Sequence, residues 1–320
     1  MPKRLFLCLL TIAVAASVGV GAQQGVVSPE QAALDVQEIN AAVTPAEVYG
    51  NANFQSGGTG MRNQKKGGIT INGVTPVGVT PIIKANLYWA FIKATAVAPT
   101  LAERRININR QWPVTVAKPA AQTLVGSVIG ATASPCWGGS TLFVLKADAT
   151  GVVTGNGFYR VQTFVGGVTT GGDPWNSPVV FPLQEGASLV VIYPQAGPFT
   201  AVYDGGLATM FSGALTYTLS LPAALSTLKI DFAGADGQYG AHRTPGFAGE
   251  TTTINGIAVG GGSAWNDGLW NGKSGLPLPQ LWDNDGRVLS IPATAALTIT
   301  HTAGGDCLVP IANTVSNAGF

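Results

Sequence analysis

Charge is what this 320-residue chain has least of: Asp, Glu, Lys and Arg make up 10% of it, against about a quarter of an ordinary soluble domain. With 17 basic and 16 acidic residues, it offers no basic stripe for a phosphate backbone, which excludes nucleic acid as a partner. Histidine is scarce too, with only His242 and His301. Neither the H-E-x-x-H pair of a zinc hydrolase nor the G-x-S-x-G elbow of a serine hydrolase occurs. A zinc site takes about four Cys or His ligands, and the few cysteines and two histidines here come without any C-x-x-C spacing. Beyond the N-terminus no apolar run is long enough to span a bilayer. Gly 43 and Pro 20 interrupt the chain too often for long helices and lack the period of collagen.

The one long apolar run comes first. Lys3 and Arg4 precede an apolar stretch from Leu5 to Val20, and Val20-Gly21-Ala22 sets small residues before a cut. That is the three-part pattern of a secretory signal peptide. Residues 1–22 are therefore read as a cleaved signal. The mature chain is then extracellular or at the cell surface, with no membrane insertion after cleavage. Loss of Lys3 and Arg4 leaves 15 basic residues against 16 acidic, and loss of Cys8 leaves two cysteines. In an oxidising compartment Cys136, in A-S-P-C-W-G-G-S, and Cys307, in G-G-D-C-L, are expected to form a disulfide; the alternative is two buried thiols.

What the chain has in abundance is strand and turn signal. Leu215, Tyr217, Leu219 and Leu221 alternate with Thr216, Thr218 and Ser220, as Leu228, Ile230 and Phe232 do with their neighbours. Leu297 and Ile299 likewise alternate with Thr298, Thr300 and Thr302. A period of two predicts half-buried strands with one wet face. Leu87 to Ile92 and Leu189 to Tyr193 are apolar on both faces and predict strands covered on both sides. Asn-Gly at 72–73, 156–157, 255–256 and 271–272, and Asp-Gly at 204–205, 236–237, 267–268 and 285–286, mark tight turns. The pattern predicts an all-β chain: an antiparallel β-sandwich of jelly-roll type. A boundary near Met210 divides it into two tandem sandwiches, residues 47–210 and 211–320. Residues 23–46 form a lead-in segment, flexible or a short helix capped by Ser28 and Pro29. "TINGVTPVG" (Thr70 to Gly78) and "TINGIAVGG" (Thr253 to Gly261) are alike, which fits either two related units or two hairpins sharing one turn chemistry.

Chemistry-bearing residues are few. His301 continues the Leu297, Ile299 alternation onto the inward face, and His242 lies in a loop. Gly268 to Ser274 imitates a phosphate loop with the glycines one residue too close. Arg62, Lys65 and Lys66 read as a small solvated basic loop. Asp283-Asn284-Asp285-Gly286 resembles the start of a calcium loop, so Asp283 and Asp285 are candidate calcium ligands, against a plain hairpin turn. No other cofactor is expected. Glu250 with Asp231 is a conceivable glycosidase carboxylate pair. Trp265, Trp270 and Trp282 lie within 18 residues among Asn, Asp and Gly, and exposed rings of that kind stack on sugar faces or anchor a partner.

Several blocks in order, "VYGNANFQSGGTG" (Val48 to Gly60), "ANLYWAFI" (Ala85 to Ile92), "PCW" (Pro135 to Trp137), "ADATGVVTGNGFYRV" (Ala147 to Val161), "ASLVVIYP" (Ala187 to Pro194), "VYDG" (Val202 to Gly205) and "GGDCL" (Gly304 to Leu308), resemble a domain-of-unknown-function family of secreted and cell-surface proteins of bacteria and archaea. The resemblance implies an extracytoplasmic location and a β-rich fold. It supplies no catalytic residues. The expected function is non-enzymatic, a structural or adhesive role in the envelope or matrix. Its expected partners are other surface or matrix components, among them glycans, and self-association through open strand edges. A carbohydrate-binding module using the tryptophans is the alternative, and an acid-residue polysaccharide hydrolase a minor one.

Overall fold

A computed structural model describes residues 36–62, 65–74, 82–111, 120–164, 180–235, 251–259, 282–303 and 307–317. Ser28, Pro29, His242, Glu250, Trp265, Trp270 and the stretch from Gly268 to Ser274 lie outside them. The described residues are all-β, with no helix. Fifteen strands follow in chain order: β1 (Val36–Glu38), β2 (Glu47–Gly60), β3 (Lys66–Ile71), β4 (Lys84–Lys93), β5 (Arg105–Gln111), β6 (Gln122–Val125), β7 (Ser127–Ala133), β8 (Thr141–Asp148), β9 (Gly157–Thr163), β10 (Leu183–Tyr203), β11 (Ala214–Ala235), β12 (Thr251–Ile254), β13 (Ile257–Ala258), β14 (Trp282–Thr302) and β15 (Val309–Ser316).

Eleven strands form one sheet in the order β13-β12-β14-β11-β15-β10-β4-β8-β7, with β1 added on β11 and β2 on β10; the order β3-β9-β5-β6 forms a second, smaller sheet. All pairings are antiparallel except β1 with β11 and the isolated Val43–Leu219 bridge. The larger sheet is continuous across residue 210 through the pairing of β10 with β15 and of β15 with β11.

Three cores explain the sequence patterns. The small sheet lays Ile69, Ile71, Ile106, Ile108 and Val161 against Leu87, Trp89, Leu145, Leu189 and Val191 of the large one. The opposite face of β4 and β10 (Tyr88, Ala90, Val190, Ile192) packs with Phe54, Trp282 and Ile311. That is why these two strands read as apolar on both faces. The third core gathers Leu215, Tyr217, Leu219, Leu228, Ile230, Phe232, Leu297 and Ile299, the inward sides of the alternating strands. The Leu228–Phe232 and Leu215–Leu221 runs, expected as separate strands, are two halves of the single strand β11.

Three local expectations are corrected. In the described part of the lead-in, residues 36–46, Val36–Glu38 form β1, held to β11 by parallel pairing, and no residue is helical. Asp285-Gly286 lies inside β14, where Gly286 pairs with Asp231, so it closes no turn. Of the two similar stretches, Asn255 and Gly256, with φ of 50° and 77°, turn the β12–β13 hairpin, and the first is described only as far as Val74, with Thr70 and Ile71 ending β3 and Gly73 at φ 79°. Arg62 belongs to no solvated loop; it is 2% exposed, pairs with Glu185 at 2.5 Å and lies 5.4 Å from the Trp137 ring centroid.

Candidate functional site

Cys136 and Cys307 are bonded, with Cα atoms 6.3 Å apart across 171 positions. Cys136 follows β7, and Cys307 precedes β15. Both join the core that holds Trp137 and Trp282, so the bridge ties the β7 edge region to the last strand.

The polar centre at the end of that core comes from four separated segments. On β4, Asn86 and Tyr88 share one face because alternate residues of a strand do, while Leu87 and Trp89 take the other. Tyr88 pairs in register with Lys146 of β8, which places the ammonium 5.7 Å from the Tyr88 ring centroid. Lys146 Nζ donates to Glu47 Oε1 at 2.7 Å and to Asp204 Oδ2 at 2.5 Å. The Tyr88 hydroxyl donates to Asp204 Oδ2 at 2.8 Å; Asn86 Nδ2 and the Tyr49 hydroxyl donate to Glu47 Oε2 at 2.9 and 2.8 Å. Burial pulls the Lys146 ammonium down, but the two carboxylates more than offset it and hold it above its ordinary range. Burial pushes the Tyr88 phenol well up, and the Asp204 charge adds to this. At neutral pH both groups keep their protons. The cluster is a fixed cation clamped between two anions, suited to tying strands together and unsuited to accepting a proton.

A second polar centre lies between β2 and the β11–β14 pair. Asn284 Nδ2 donates to both Asp231 oxygens at 3.2 and 3.3 Å and to Ser56 Oγ at 3.1 Å. Lys229 donates to the Phe54 carbonyl at 2.7 Å, with its ammonium 4.5 Å from the Phe54 ring centroid. Burial drives Asp231 up to about 8, opposed by its Ser56 bond, so it is mostly protonated at neutral pH. Asp285 is pushed up to about 6 by burial and restrained by its ion pair with Arg287.

The candidate ligands and stacking rings find these positions. Asp283 and Asp285 are both buried, on one face of β14. Among the described residues no group of three or more His, Cys, Asp and Glu stands ready for a metal ion. Trp282, expected as an exposed ring, is fully buried, and its Nε1 donates to Ser188 Oγ at 3.0 Å. A Cβ on Gly186 would stand 2.4 Å from the Trp282 ring, so the glycine leaves room for it. Trp282 is an interlayer wedge because β14 runs through the site where the sequence suggested a loop. His301 is buried, as the alternation indicated. Its Nε2 meets the Tyr217 hydroxyl at 2.9 Å and its Nδ1 meets Thr252 Oγ1 at 2.8 Å; Asn313 Nδ2 donates to the same tyrosine at 2.7 Å. Burial lowers the His301 ring to about 3, leaving it neutral.

Sequence reading missed the Glu47–Lys146–Asp204 centre, since its members share no local motif. Tyr49, Asn86, Tyr88 and Asp204 do fall within three of the blocks that carry the family resemblance.

No protein-family model and no curated protein matches the chain. Among solved structures it is similar to a peptide-N(4)-(N-acetyl-beta-D-glucosaminyl) asparagine amidase, at 13% identity over 84% of this chain and 98% of that one, with a TM-score of 0.27. Dimeric latent PorU from Porphyromonas gingivalis gives 12% identity over 82% and 24%, with a TM-score of 0.25. PBCV-1 VP54, fitted into a reconstruction of the virophage Sputnik, gives 9% over 84% and 94%, with a TM-score of 0.22. At these TM-scores nothing about activity is transferred to this chain.

Proposed function

We propose that this protein is exported through the cleaved segment 1–22 and serves as a non-enzymatic structural or adhesive component of the cell surface or matrix. The observation that carries the reading is the Cys136–Cys307 bond, because such bonds persist in oxidising compartments and are rare in the cytosol. The charged side chains support it. Lys146, Glu47 and Asp204 join three segments distant in sequence, and Arg62 with Glu185 joins two more. The family resemblance, with its extracytoplasmic expectation, agrees. Other surface or matrix components, including glycans, are the proposed partners.

The test is expression of the full chain in a bacterial host, followed by fractionation, intact-mass analysis and an array of glycans and matrix proteins with and without calcium. The expected product begins at Gln23, lies outside the cytoplasm, carries an oxidised Cys136–Cys307 pair and binds an array component. A cytoplasmic product with free thiols sinks the export reading. Turnover of an array polysaccharide by the folded protein sinks the non-enzymatic one.

A further inference from the structure

Alternation sorts the small β3-β9-β5-β6 sheet into two faces. Ile69, Ile106, Tyr159 and Val161 point into the core, so their neighbours Gly68, Arg105, Phe158 and Arg160 point away from it. Register sets Lys66 beside Gln162 and Gln162 beside Asn107, Gly68 beside Arg160, and Thr70 beside Phe158. Lys66, Phe158, Arg160 and Gln162 are exposed, and Arg105 and Asn107 are partly exposed. Phe164, just past the end of β9, is exposed as well.

Three features set this face apart from an ordinary wet sheet surface. First, its charge has one sign. The four strands contain no Asp or Glu, although the chain carries 17 basic and 16 acidic residues. Lys66, Arg105 and Arg160 pair with no carboxylate among the described residues. Second, an aromatic ring is seated on the sheet. A Cβ on Gly68 would collide with the tip of the Phe158 ring, so the ring leans across onto the glycine and still keeps an open side, 36% exposed. Third, the chain itself has little to offer such a face. Glu47, Glu103, Asp148, Glu185, Asp204 and Asp285 already hold cations of the same chain, and Asp231 and Asp283 are buried. Among the described residues a second copy therefore brings no acidic patch.

Unmatched cations call for an anionic partner, a seated ring for a flat C–H face, and the amides of Gln162 and Asn107 for hydroxyls. A polysaccharide of uronic acids carries all three on each sugar, and its carboxylates fit the guanidinium forks of Arg105 and Arg160. A peptide binds best to a free strand edge or a groove, whereas this surface presents side chains on the flat of a sheet. A ring that lies down on the sheet suits stacking and not insertion into a bilayer. Three cations are too few for nucleic acid, whose duplex carries one charge per about 1.7 Å. We propose that the outer face of the small sheet, centred on Phe158 and Arg160, binds a uronate-containing polysaccharide. The inference rests on the cell-surface role for where the polymer is met, and deepens it by naming the glycan class and the face that takes it.

The experiment titrates purified full chain, in the presence of EDTA, with polygalacturonate and with the same polymer methyl-esterified, which keeps the sugar rings and removes the charge. Polygalacturonate is expected to bind about tenfold more tightly than the ester, and to weaken as salt rises. Arg160→Gln is expected to weaken binding of polygalacturonate about tenfold. Phe158→Leu keeps an apolar cover over Gly68 and removes the ring; it is expected to weaken binding of both polymers about fivefold. Thermal unfolding midpoints matched to the wild type show that such losses are not misfolding. Equal binding of the two polymers by the folded protein, or binding of neither, overturns the proposal. So does binding that both variants retain. Polyglutamate that displaces polygalacturonate at equal carboxylate concentration assigns the face to acidic polymers at large, and preference for phosphatidylglycerol vesicles assigns it to a membrane; either result also overturns it. Binding is read on purified protein, so these failures leave the export reading standing, which falls only on the fractionation result.

Discussion

Lys146 and Asp204 meet at 2.5 Å although 58 positions separate them and neither shares a strand with the other. Asp204 ends the long β10 excursion, Lys146 sits on β8, and the same ammonium reaches back to Glu47 at the start of β2. One cation therefore fixes three segments at the end of the middle core. Removing it leaves two carboxylates facing each other, with Asp204 almost wholly buried.

Lys146→Met is expected to lower stability by about 2–4 kcal/mol, the range for stranding a mostly buried charge, read as a drop in the urea midpoint at unchanged slope. Acid titration gives a second reading. Burial raises the Glu47 carboxyl, but its bonds from Lys146, Asn86 and Tyr49 outweigh this and bring it below its ordinary 4.5. A folded-state value below the unfolded one adds stability above pH 4.5 that is lost as pH falls through the lower value. The variant should lose less stability over that acid range than the wild type.

Asp231 predicts the opposite pH trend. Its folded value of about 8 lies above the ordinary 3.8, so the unfolded chain ionises first and stability falls as pH rises from about 4 towards 8. Asp285, at about 6, adds the same sign over a narrower window. Asp231→Asn keeps an acceptor for Asn284 and removes the ionisation. It is expected to stabilise the protein by about 2–5 kcal/mol at pH 8 and to change little near pH 4. Equal shifts at both pH values would contradict a buried, neutral Asp231.

How far these relationships were legible depends on their range. The alternation at Leu215–Leu221 and at Leu297–Ile299 shows through because burial on one face repeats every second residue, and the doubly apolar runs at 87–92 and 189–193 show through because both faces are covered. The Cys136–Cys307 pairing followed from compartment and count. Asp285-Gly286 misled because a turn dipeptide was read without the pairing partner, Asp231, that keeps it within a strand. The Trp282 burial was illegible for the same reason: the residues that receive it, Gly186 and Ser188, lie almost a hundred positions away. Glu47, Lys146 and Asp204 each look like an isolated surface charge until the sheet order brings them together.

Loss of the Cys136–Cys307 bond should cost about 5 kcal/mol, the chain-entropy value for a closed loop of some 170 residues. Thermal unfolding with and without reductant, beside the double variant Cys136→Ser and Cys307→Ser, measures it. The variant should unfold at the temperature of the reduced wild type. An oxidised wild type no more stable than the variant would show that the bridge adds nothing to stability.

Trp282 and Gly186 give the most direct check on the interlayer packing. Truncating a fully buried tryptophan costs about 3–5 kcal/mol, so Trp282→Ala is expected to destabilise the fold, where an exposed binding ring would leave stability nearly unchanged. Gly186→Ala drives a methyl to 2.4 Å from the Trp282 ring and 2.6 Å from the Thr59 carbonyl oxygen, an overpacking cost of about 1–3 kcal/mol. The two changes should couple. With the ring gone, the new methyl meets only the Thr59 carbonyl, so the double variant should be more stable than the sum of the single effects by about 1 kcal/mol. Strict additivity in a urea-denaturation cycle would show that Gly186 is not there to make room for the ring.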